Sequence, residues 1–189
     1  MFNRLAVAAH TYANSGEAPG LEPLSIAEAA YRQALHLSEI VGDESGMLNA
    51  LAGLGVIAAE RGDAEEAARC FLQGFPLAAP HRHWWYLWLL MLGQAAASAL
   101  AGAHETAGIL LGAAAAIARA RDFRAYAYWQ STLERAESAS RAALGDVAYV
   151  AAHDRGRLAI ELAPDNGADL LDLVLDLCET GAVESWPPA

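Results

Sequence analysis

Three stretches of the chain repeat one pattern of small and large side chains at a constant spacing along the sequence. Each stretch places a small residue, a large residue four positions later and a second small residue three positions after that, which are positions on one face of a helix. Such units cannot bury their apolar faces alone, so the pattern restricts the chain to folds that stack similar units. The aligned triplets are Ala27, Tyr31 and Ala34; Ala67, Phe71 and Gly74; and Ala107, Leu111 and Ala114.

A second helical pattern precedes these stretches. LAVAAHTYANSG aligns with LAGLGVIAAERG, and the first interval is longer because extra residues fall in a loop around APGLEP. In the third unit, the corresponding helix is the tryptophan-rich run. Gly16, Gly62 and Gly102 stand where these helices end, a position that favours glycine because the backbone becomes left-handed there. Each unit is therefore predicted to be helix, short glycine turn, helix.

Two pairs of residues have the spacing of a capping box, in which an acceptor side chain is followed three positions later by a glutamate. Asp63 with Glu66 and Ser25 with Glu28 are predicted to begin the second helices of two units.

The remaining chain is also predicted to be helical. One long helix is expected from about Asp122 to Leu144, Gly145 ends it, and another helix continues until Pro164. NGADLLDLVLDLCETG forms a final helix that is hydrophobic nearly all round and is expected to be sandwiched or to offer a face to another copy.

The repeated unit resembles the tetratricopeptide repeat (TPR). The second unit carries the resemblance, because that family's Leu/Trp, Leu-Gly, Gly, Ala and Phe positions are occupied here by Leu51, Leu54, Gly55, Gly62, Ala67 and Phe71. Ala58 replaces the usual aromatic residue and Gly74 replaces an alanine. The third unit departs further, with Gln94 and Ala95 where Leu-Gly is expected.

A narrower resemblance covers about residues 25–155. GLGVIAAERGDAEEAARCF, GILLGAAAAI and SRAALGDVAYVAA follow the order seen in the C-terminal helical repeats of large bacterial regulators, which combine such repeats with a STAND-type ATPase and a winged-helix or LuxR-type DNA-binding domain. The chain has no P-loop, helix-turn-helix or basic region, so neither activity is assigned to any residue. It is either a fragment of such a regulator or a stand-alone relative.

The expected fold is thus all-α: an antiparallel helix-hairpin, TPR-like solenoid of about three repeats with C-terminal capping helices. The repeats are expected over 1–145, the capping helices of the same domain over 146–181 and a flexible tail over 182–189. The 55% hydrophobic composition suits a chain with one sizeable core.

The charge composition excludes several functions. The net charge is −11, and all twelve basic residues are arginine. Without a basic patch, direct nucleic-acid binding is not expected. Without lysine, the chain can form neither a Walker A motif nor a Schiff base. Cys70 and Cys178 lie in apolar segments and are expected to be reduced core residues of a cytoplasmic protein, although a disulfide between them stays open.

The stretch from Trp84 to Ala103 has no charged residue and is long enough to cross a bilayer. Its second half consists mainly of alanine with glycine, serine and glutamine, which gain little from lipid, and no basic cluster follows it. A buried helix is therefore preferred to a membrane span, and no membrane association is expected.

The aromatic residues are the strongest candidate for a binding site. The first helices of such repeats line a concave surface, where the two aromatic sets could face each other across adjacent units. Arginine beside aromatic rings is typical of interaction hot spots. The alternative is that the rings simply fill the core between repeats. The predicted binding residues are Arg82, Trp84, Trp85 and Trp88 in one set and Arg124, Tyr126, Tyr128 and Trp129 in the other.

Catalytic and metal sites are not expected, and no cofactor is implied. His81 and His83 resemble a metal pair but lack a third ligand at metal spacing. The sequence therefore predicts a non-catalytic scaffold or sensor of a bacterial regulatory system, holding a protein segment or small effector in an aromatic-lined groove. The alternatives are a homodimer formed through the C-terminal helix and, more weakly, an enzyme or small-molecule binder that uses an internal cavity.

Overall fold

The computed structural model describes residue 7 and residues 21–124, 127–162 and 167–179. These residues form an all-α fold and include no strand, which confirms the predicted fold class. Besides residue 7, eight helices account for most of them: α1 (Leu21–Val41), α2 (Glu44–Glu60), α3 (Ala64–Ala78), α4 (Trp84–Leu100), α5 (His104–Arg121), α6 (Ala127–Leu144), α7 (Asp146–Glu161) and α8 (Gly167–Glu179). The predicted turn at Gly16 and the tail over 182–189 lie outside the described residues.

The turns between the first helices recur at equal intervals along the chain. Gly42, Gly62, Arg82, Gly102 and Asp122 each have a positive φ, between 51° and 81°. After each, the next backbone N–H donates to the carbonyl oxygen five residues earlier, at 2.8–3.1 Å. This is the Schellman bond, which satisfies a carbonyl at the helix end. The spacing between consecutive turns is thus the length of one helix and its turn. Two such spacings equal the period of the repeated sequence pattern.

Helices pack on their neighbours in sequence and also on alternate helices. Contacts join α2 with α4, α4 with α6, and α5 with α7. This arrangement is consistent with an all-α helical repeat.

The predicted small–large–small face is buried in the first two units, and its large residues there fit onto glycines of neighbouring helices; Leu111 of the third unit is only half-buried. A Cβ built on Gly53 would lie 2.3 Å from the Tyr31 ring, and one on Gly93 would lie 2.2 Å from the Phe71 ring. Phe71 also contacts Gly55, so its ring is inserted between α2 and α4. Both rings are at most 2% exposed.

Of the two predicted capping boxes, the cap at Asp63 is confirmed without the reciprocal bond to Glu66, since the Asp63 N–H donates to the Ala58 carbonyl oxygen, and the box at Ser25 is wrong. Asp63 is the N-cap of α3 and accepts a hydrogen bond from the backbone N–H of Glu66 at 3.0 Å. Ser25 caps no helix, because α1 already begins at Leu21 and Ser25 lies within it. Its predicted partner Glu28 instead accepts hydrogen bonds from Arg61 and Arg32, and these hold the pKa of the Glu28 carboxyl below its usual value.

Two further boundaries were tested by the structure. Gly145 separates α6 from α7 as predicted. The long helix does not begin near Asp122, because Asp122 is the left-handed C-cap of α5 and α6 starts at Ala127. No helix in the described part of the chain is both long and apolar enough to cross a membrane.

The α5–α7 crossing is close enough to bring backbone atoms together. A Cβ on Gly112 would lie 1.8 Å from the carbonyl oxygen of His153, and one on Gly156 would lie 1.8 Å from that of Ile109. The two backbones therefore touch, which only glycine permits at these positions. The contact skips α6, the helix that lies between them in sequence.

Replacing Gly112 by alanine is expected to force α5 and α7 apart. Overpacking of this kind costs about 1–3 kcal/mol, which lowers the Tm of a domain this size by roughly 2–12 °C. Gly108→Ala is the milder comparison at the same crossing: its added Cβ would lie 3.2 Å from the Cβ of Ala152, a tight contact that a shift of a few tenths of an ångström relieves, and alanine favours helix. Thermal unfolding followed by circular dichroism measures both. A Gly112→Ala protein as stable as the Gly108→Ala protein would contradict the close crossing.

Candidate functional site

The predicted aromatic residues whose side chains the structure describes do not share one surface. Trp88 and Trp129 are only 3% and 2% exposed and belong to the main hydrophobic core. The Trp129 ring packs on Phe71, with centroids 6.2 Å apart. For these two residues the structure shows core packing, the alternative that the sequence left open. Tyr126 and the side chain of Tyr128 lie outside the described residues.

Trp85 belongs to an aromatic cluster at the start of α4. Its ring centroid lies 5.1 Å from that of Trp88 and 5.1 Å from that of Phe123, with the Phe123 ring edge-on. Phe123 was not among the predicted site residues; it lies in the turn after α5, where the sequence predicted the start of the long helix.

Trp84 is half-buried and lies beneath two guanidinium groups. The Cζ atoms of Arg121 and Arg82 are 4.4 Å and 5.2 Å from its ring centroid. Attraction of a cation to an aromatic face holds such an arrangement together. The predicted Arg124 instead lies 3.9 Å from Asp122, and both side chains are almost fully exposed. We call Arg82, Trp84 and Arg121 the Trp84 surface.

Arg82 occupies a strained position in this surface. It stands at one of the five regularly spaced turns, where glycine or aspartate occupies the other four. An arginine there has φ 51°, a conformation that costs a residue with a Cβ about 1–2 kcal/mol. Backbone strain of this kind is characteristic of functional positions.

The two histidines of the candidate metal pair lie near an acidic side chain. The ring centroids of His81 and His83 are 5.7 Å apart, and His81 Nε2 is 3.6 Å from Oε2 of Glu44. Among the described residues, no group of three or more His, Cys, Asp or Glu side chains is placed to hold a metal ion.

A larger opening lies between α3, α4, α5 and α8, and we call it the α8 cleft. Its volume is about 700 Å³, against about 300 and 320 Å³ for two other clefts, one between α2, α4 and α6 and one around the Glu28–Arg61 pair. None of the three has an aromatic residue among its described lining. The α8 cleft is lined by Ala64, Glu65, Ala68, Arg69, Leu72, Gln94, Ala97, Ser98, Ala101, Ala103, Thr106, Leu175 and Cys178.

Small residues create the space of the α8 cleft. Ala97, Ser98 and Ala101 face it from the end of α4 and the turn that follows, while Ala68 faces it from α3. Leu175 of α8 contributes an apolar side chain on another side. The wall is therefore mostly apolar, and its charged groups, on Glu65 and Arg69, are exposed at the rim.

Two buried polar atoms in this wall have no hydrogen-bond partner among the described residues. They are Oε1 of Gln94 and Oγ1 of Thr106, in residues that are 6% and 1% exposed. A buried polar atom left without a partner costs about 1–3 kcal/mol. Both oxygens are covered by protein and have almost no accessible surface, so they lie behind the wall of the cleft and are not open to it.

The sequence contained one signal for this site. Gln94 stands where the repeat pattern expects a leucine, and Ser98 follows it one helical turn later. Polar residues four apart on an apolar helix face share one side of that helix. The pattern did not reveal that α8, which lies far along the chain from α4, closes the same space.

Both cysteines are buried and neither forms a disulfide, so the predicted core placement is confirmed. Burial raises the pKa of the Cys70 thiol to about 11, which keeps it protonated and unreactive near neutral pH. Cys178 lines the α8 cleft. Outside the clefts, burial likewise raises the pKa of the Tyr149 hydroxyl to about 12.

The final helix packs against its own chain. α8 contacts α3 and α5, with Val174 fully buried and Leu173 and Leu177 half-buried against the main core. The homodimer through this helix therefore stays a prediction, and part of the apolar face it would use is already covered.

Trp88 and Trp84 are expected to respond differently to truncation. Trp88→Ala removes a buried ring and should cost about 3–5 kcal/mol, or roughly 6–20 °C in Tm. Trp84→Ala removes a half-buried ring held by surface cations and should cost clearly less. Thermal unfolding compares the two proteins. Equal losses would mean that Trp84 is as much a core residue as Trp88.

Comparison with known proteins assigns no family. No protein-family model, no curated protein and no solved structure matches this chain. The geometry of the two surfaces and the repeat pattern therefore carry the functional proposal.

Proposed function

We propose that the chain is a non-catalytic binding module that holds a small molecule in the α8 cleft. One observation carries the proposal: a cleft of about 700 Å³ with a mainly apolar wall. Small-molecule sites have volumes of about 300–1,000 Å³ and predominantly apolar walls. The proposal selects the cavity-based alternative of the sequence prediction over the aromatic groove.

Non-catalytic binding is supported by the chemistry of the wall. Its ionisable side chains are Glu65, Arg69 and Cys178. Glu65 and Arg69 are exposed, and the Arg69 guanidinium already donates to Glu66 at 2.6 and 2.7 Å. The resemblance to the helical repeats of bacterial STAND and LuxR-type regulators supports a sensor role in a regulatory system.

Filling the cleft with a bulky side chain is expected to abolish ligand binding. Nile red, a neutral apolar dye whose fluorescence rises in apolar surroundings, is the probe. One dye per chain should bind, and Ala68→Trp, on the wall of the cleft, should weaken its binding at least about tenfold, because a partly filled pocket loses most of its apolar contact. Ala139→Trp, in the cleft between α2, α4 and α6, is the matched control and should bind normally.

A second readout uses the cysteine in the wall. Dye bound in the α8 cleft should slow the reaction of Cys178 with a small thiol reagent, while Cys70, outside the cleft, stays unreactive with or without dye. The proposal is refuted if the dye does not bind, or if it binds the Ala68→Trp protein as tightly as the parent.

The Trp84 surface supports a second candidate function, the binding of an acidic protein segment. Arg82 and Arg121 present guanidinium groups over one aromatic ring in a chain whose net charge is −11. Arginine next to a partly exposed tryptophan is typical of interaction hot spots. The strained backbone of Arg82 is the specific observation in its favour.

Replacing Arg82 by glycine should separate stability from binding. Glycine relieves the left-handed strain, so we expect an unchanged or slightly higher Tm. Binding of a labelled glutamate–leucine peptide, followed by fluorescence anisotropy, should weaken about fivefold, or about 1 kcal/mol, as one exposed charge contact is lost. Arg135→Ala, an exposed arginine elsewhere on the chain, is the control. Peptide binding that is absent, or equal in both variants, would rule this function out.

A further inference from the structure

The exposed large apolar residues of the described chain lie mainly on two helices, α1 and α7. In the other helices, only Leu72 and Leu100 are exposed among the described residues of this kind. The residues on α1 and α7 are 41–88% exposed, and an apolar surface of this extent is typical of an interaction site. We call the two sets the α1 face and the α7 face: Ile26, Leu37, Ile40 and Val41 on α1, and Val147, Val150 and Leu158 on α7, with Leu162 directly after it.

Each face is turned away from the helix on which its own helix packs. Tyr31 packs α1 onto α2, and Tyr149 packs α7 onto α5. Leu158 is nine residues from Tyr149 and therefore points about 180° away from it around the helix. Because α1 packs on α2 whereas α7 packs on α5 and α6, the two faces lie at opposite ends of the stacked helices. Repeat stacks normally end in a polar outer surface, which these two faces do not provide.

The apolar residues of the two faces have the same spacing along the sequence. Residues at these intervals fall within about 60° around a helix, so each set forms one stripe. Two helices that run in the same direction can match such stripes residue for residue. Intervals of eleven and then four residues separate the members of each set: Ile26, Leu37 and Val41 on α1, and Val147, Leu158 and Leu162 on α7.

The crossing of α5 and α7 shows that helices of this chain pack side by side in the same direction. A Cβ on Gly108 would meet the Cβ of Ala152. Further along both helices, a Cβ on Gly156 would meet the backbone of Ala113. The contacts thus advance together, and α7 runs parallel to α5. In the same orientation, α1 of a second copy would meet α7 with its apolar stripe at matching heights.

Charge favours this pairing over the pairing of α7 with its own copy. Asp154 lies at the middle of the α7 stripe, seven residues after Val147. A twofold axis through that point would bring two such carboxylates together, and like charges repel. On α1, the residue seven positions after Ile26 is Gln33, an exposed and uncharged side chain that can donate to a carboxylate. Asp154 accepts one hydrogen bond from Arg157 at 3.1 Å and has capacity for another.

We propose that the chain associates with further copies of itself head to tail, the α7 face of one copy packing on the α1 face of the next. The pairing extends the stack in the way that α7 extends it from α5. Because the two faces differ, a chain of copies always keeps one face of each kind free, and assembly continues until a ring closes or a filament grows. The α8 cleft takes no part in this contact, so the inference goes beyond the proposed function.

A single charge on either face should block association of the full chain. Sedimentation velocity from about 1 to 200 µM should show a parent mass that rises with concentration, and Leu158→Glu and Ile40→Glu should each weaken association at least about tenfold, because the new carboxylate would be desolvated in an apolar contact. Leu100→Glu is the matched control. All three residues are exposed and lie in the last turn of their helices, so melting curves should stay close to that of the parent.

Mixing the two variants tests the head-to-tail arrangement itself. The Leu158→Glu protein keeps an intact α1 face, and the Ile40→Glu protein keeps an intact α7 face. An equal mixture should therefore form one-to-one dimers and nothing larger, although each variant alone stays monomeric.

Each other outcome overturns the proposal and identifies the alternative. A parent protein that stays monomeric over the whole range has no such interface. Loss of association in Leu158→Glu alone means that α7 pairs with itself, and loss in Ile40→Glu alone means the same for α1. Association that survives in both variants, or fails equally in Leu100→Glu, places the contact elsewhere, for example on α8. A mixture of the two variants that forms no dimer excludes the contact between the α1 and α7 faces.

Discussion

Close approach between helices, made possible by residues without bulky side chains, is the constraint on which this fold depends. At the crossing of α5 and α7, Gly112 and Gly156 bring the two backbones into contact. Elsewhere an aromatic ring packs against glycines in the same way: Phe71 occupies the space that side chains at Gly55 and Gly93 would fill. Pairing a large side chain with a glycine, which has no side chain, lets the helices pack at the density of a protein interior.

The α8 cleft is also lined by small residues of α4, but here no aromatic ring of the described lining packs against them. Along the second half of α4 the residues are again small, among them Ala97 and Ser98, but no aromatic ring is among the described residues that line the space beside them. α8 contributes Leu175 and Cys178 to the wall of this space without filling it. One choice of residue type thus produces a tight core around Phe71 and an open cavity one or two turns away. The tryptophans that the sequence placed in a groove mostly complete the core.

Local patterns in the sequence predicted the features that depend on neighbouring residues. The buried face with Phe71 at its centre, the cap at Asp63 and the turn at Gly145 follow from helical spacing and backbone preference. The capping box at Ser25 failed because α1 starts one turn earlier, where proline and leucine begin the helix without such a signal. The α5–α7 contact and the α8 cleft could not be predicted, because each joins residues that are distant in the sequence and share no repeat. Only Gln94 indicated the α8 cleft in the sequence, because it stands where the repeat pattern expects a leucine.

The regular spacing of the turns has a consequence for how such a chain can change length. Because a helix and its turn fill one constant interval, a duplicated copy of the segment from Asp63 to Gly102 would carry its own closing turn and the same alternation of small and large residues. Every new helix would meet a neighbour of the kind it already fits. Gain or loss of a helix pair therefore preserves the packing between the remaining helices. Inserting a single residue within a helix would instead rotate its buried face by about 100°.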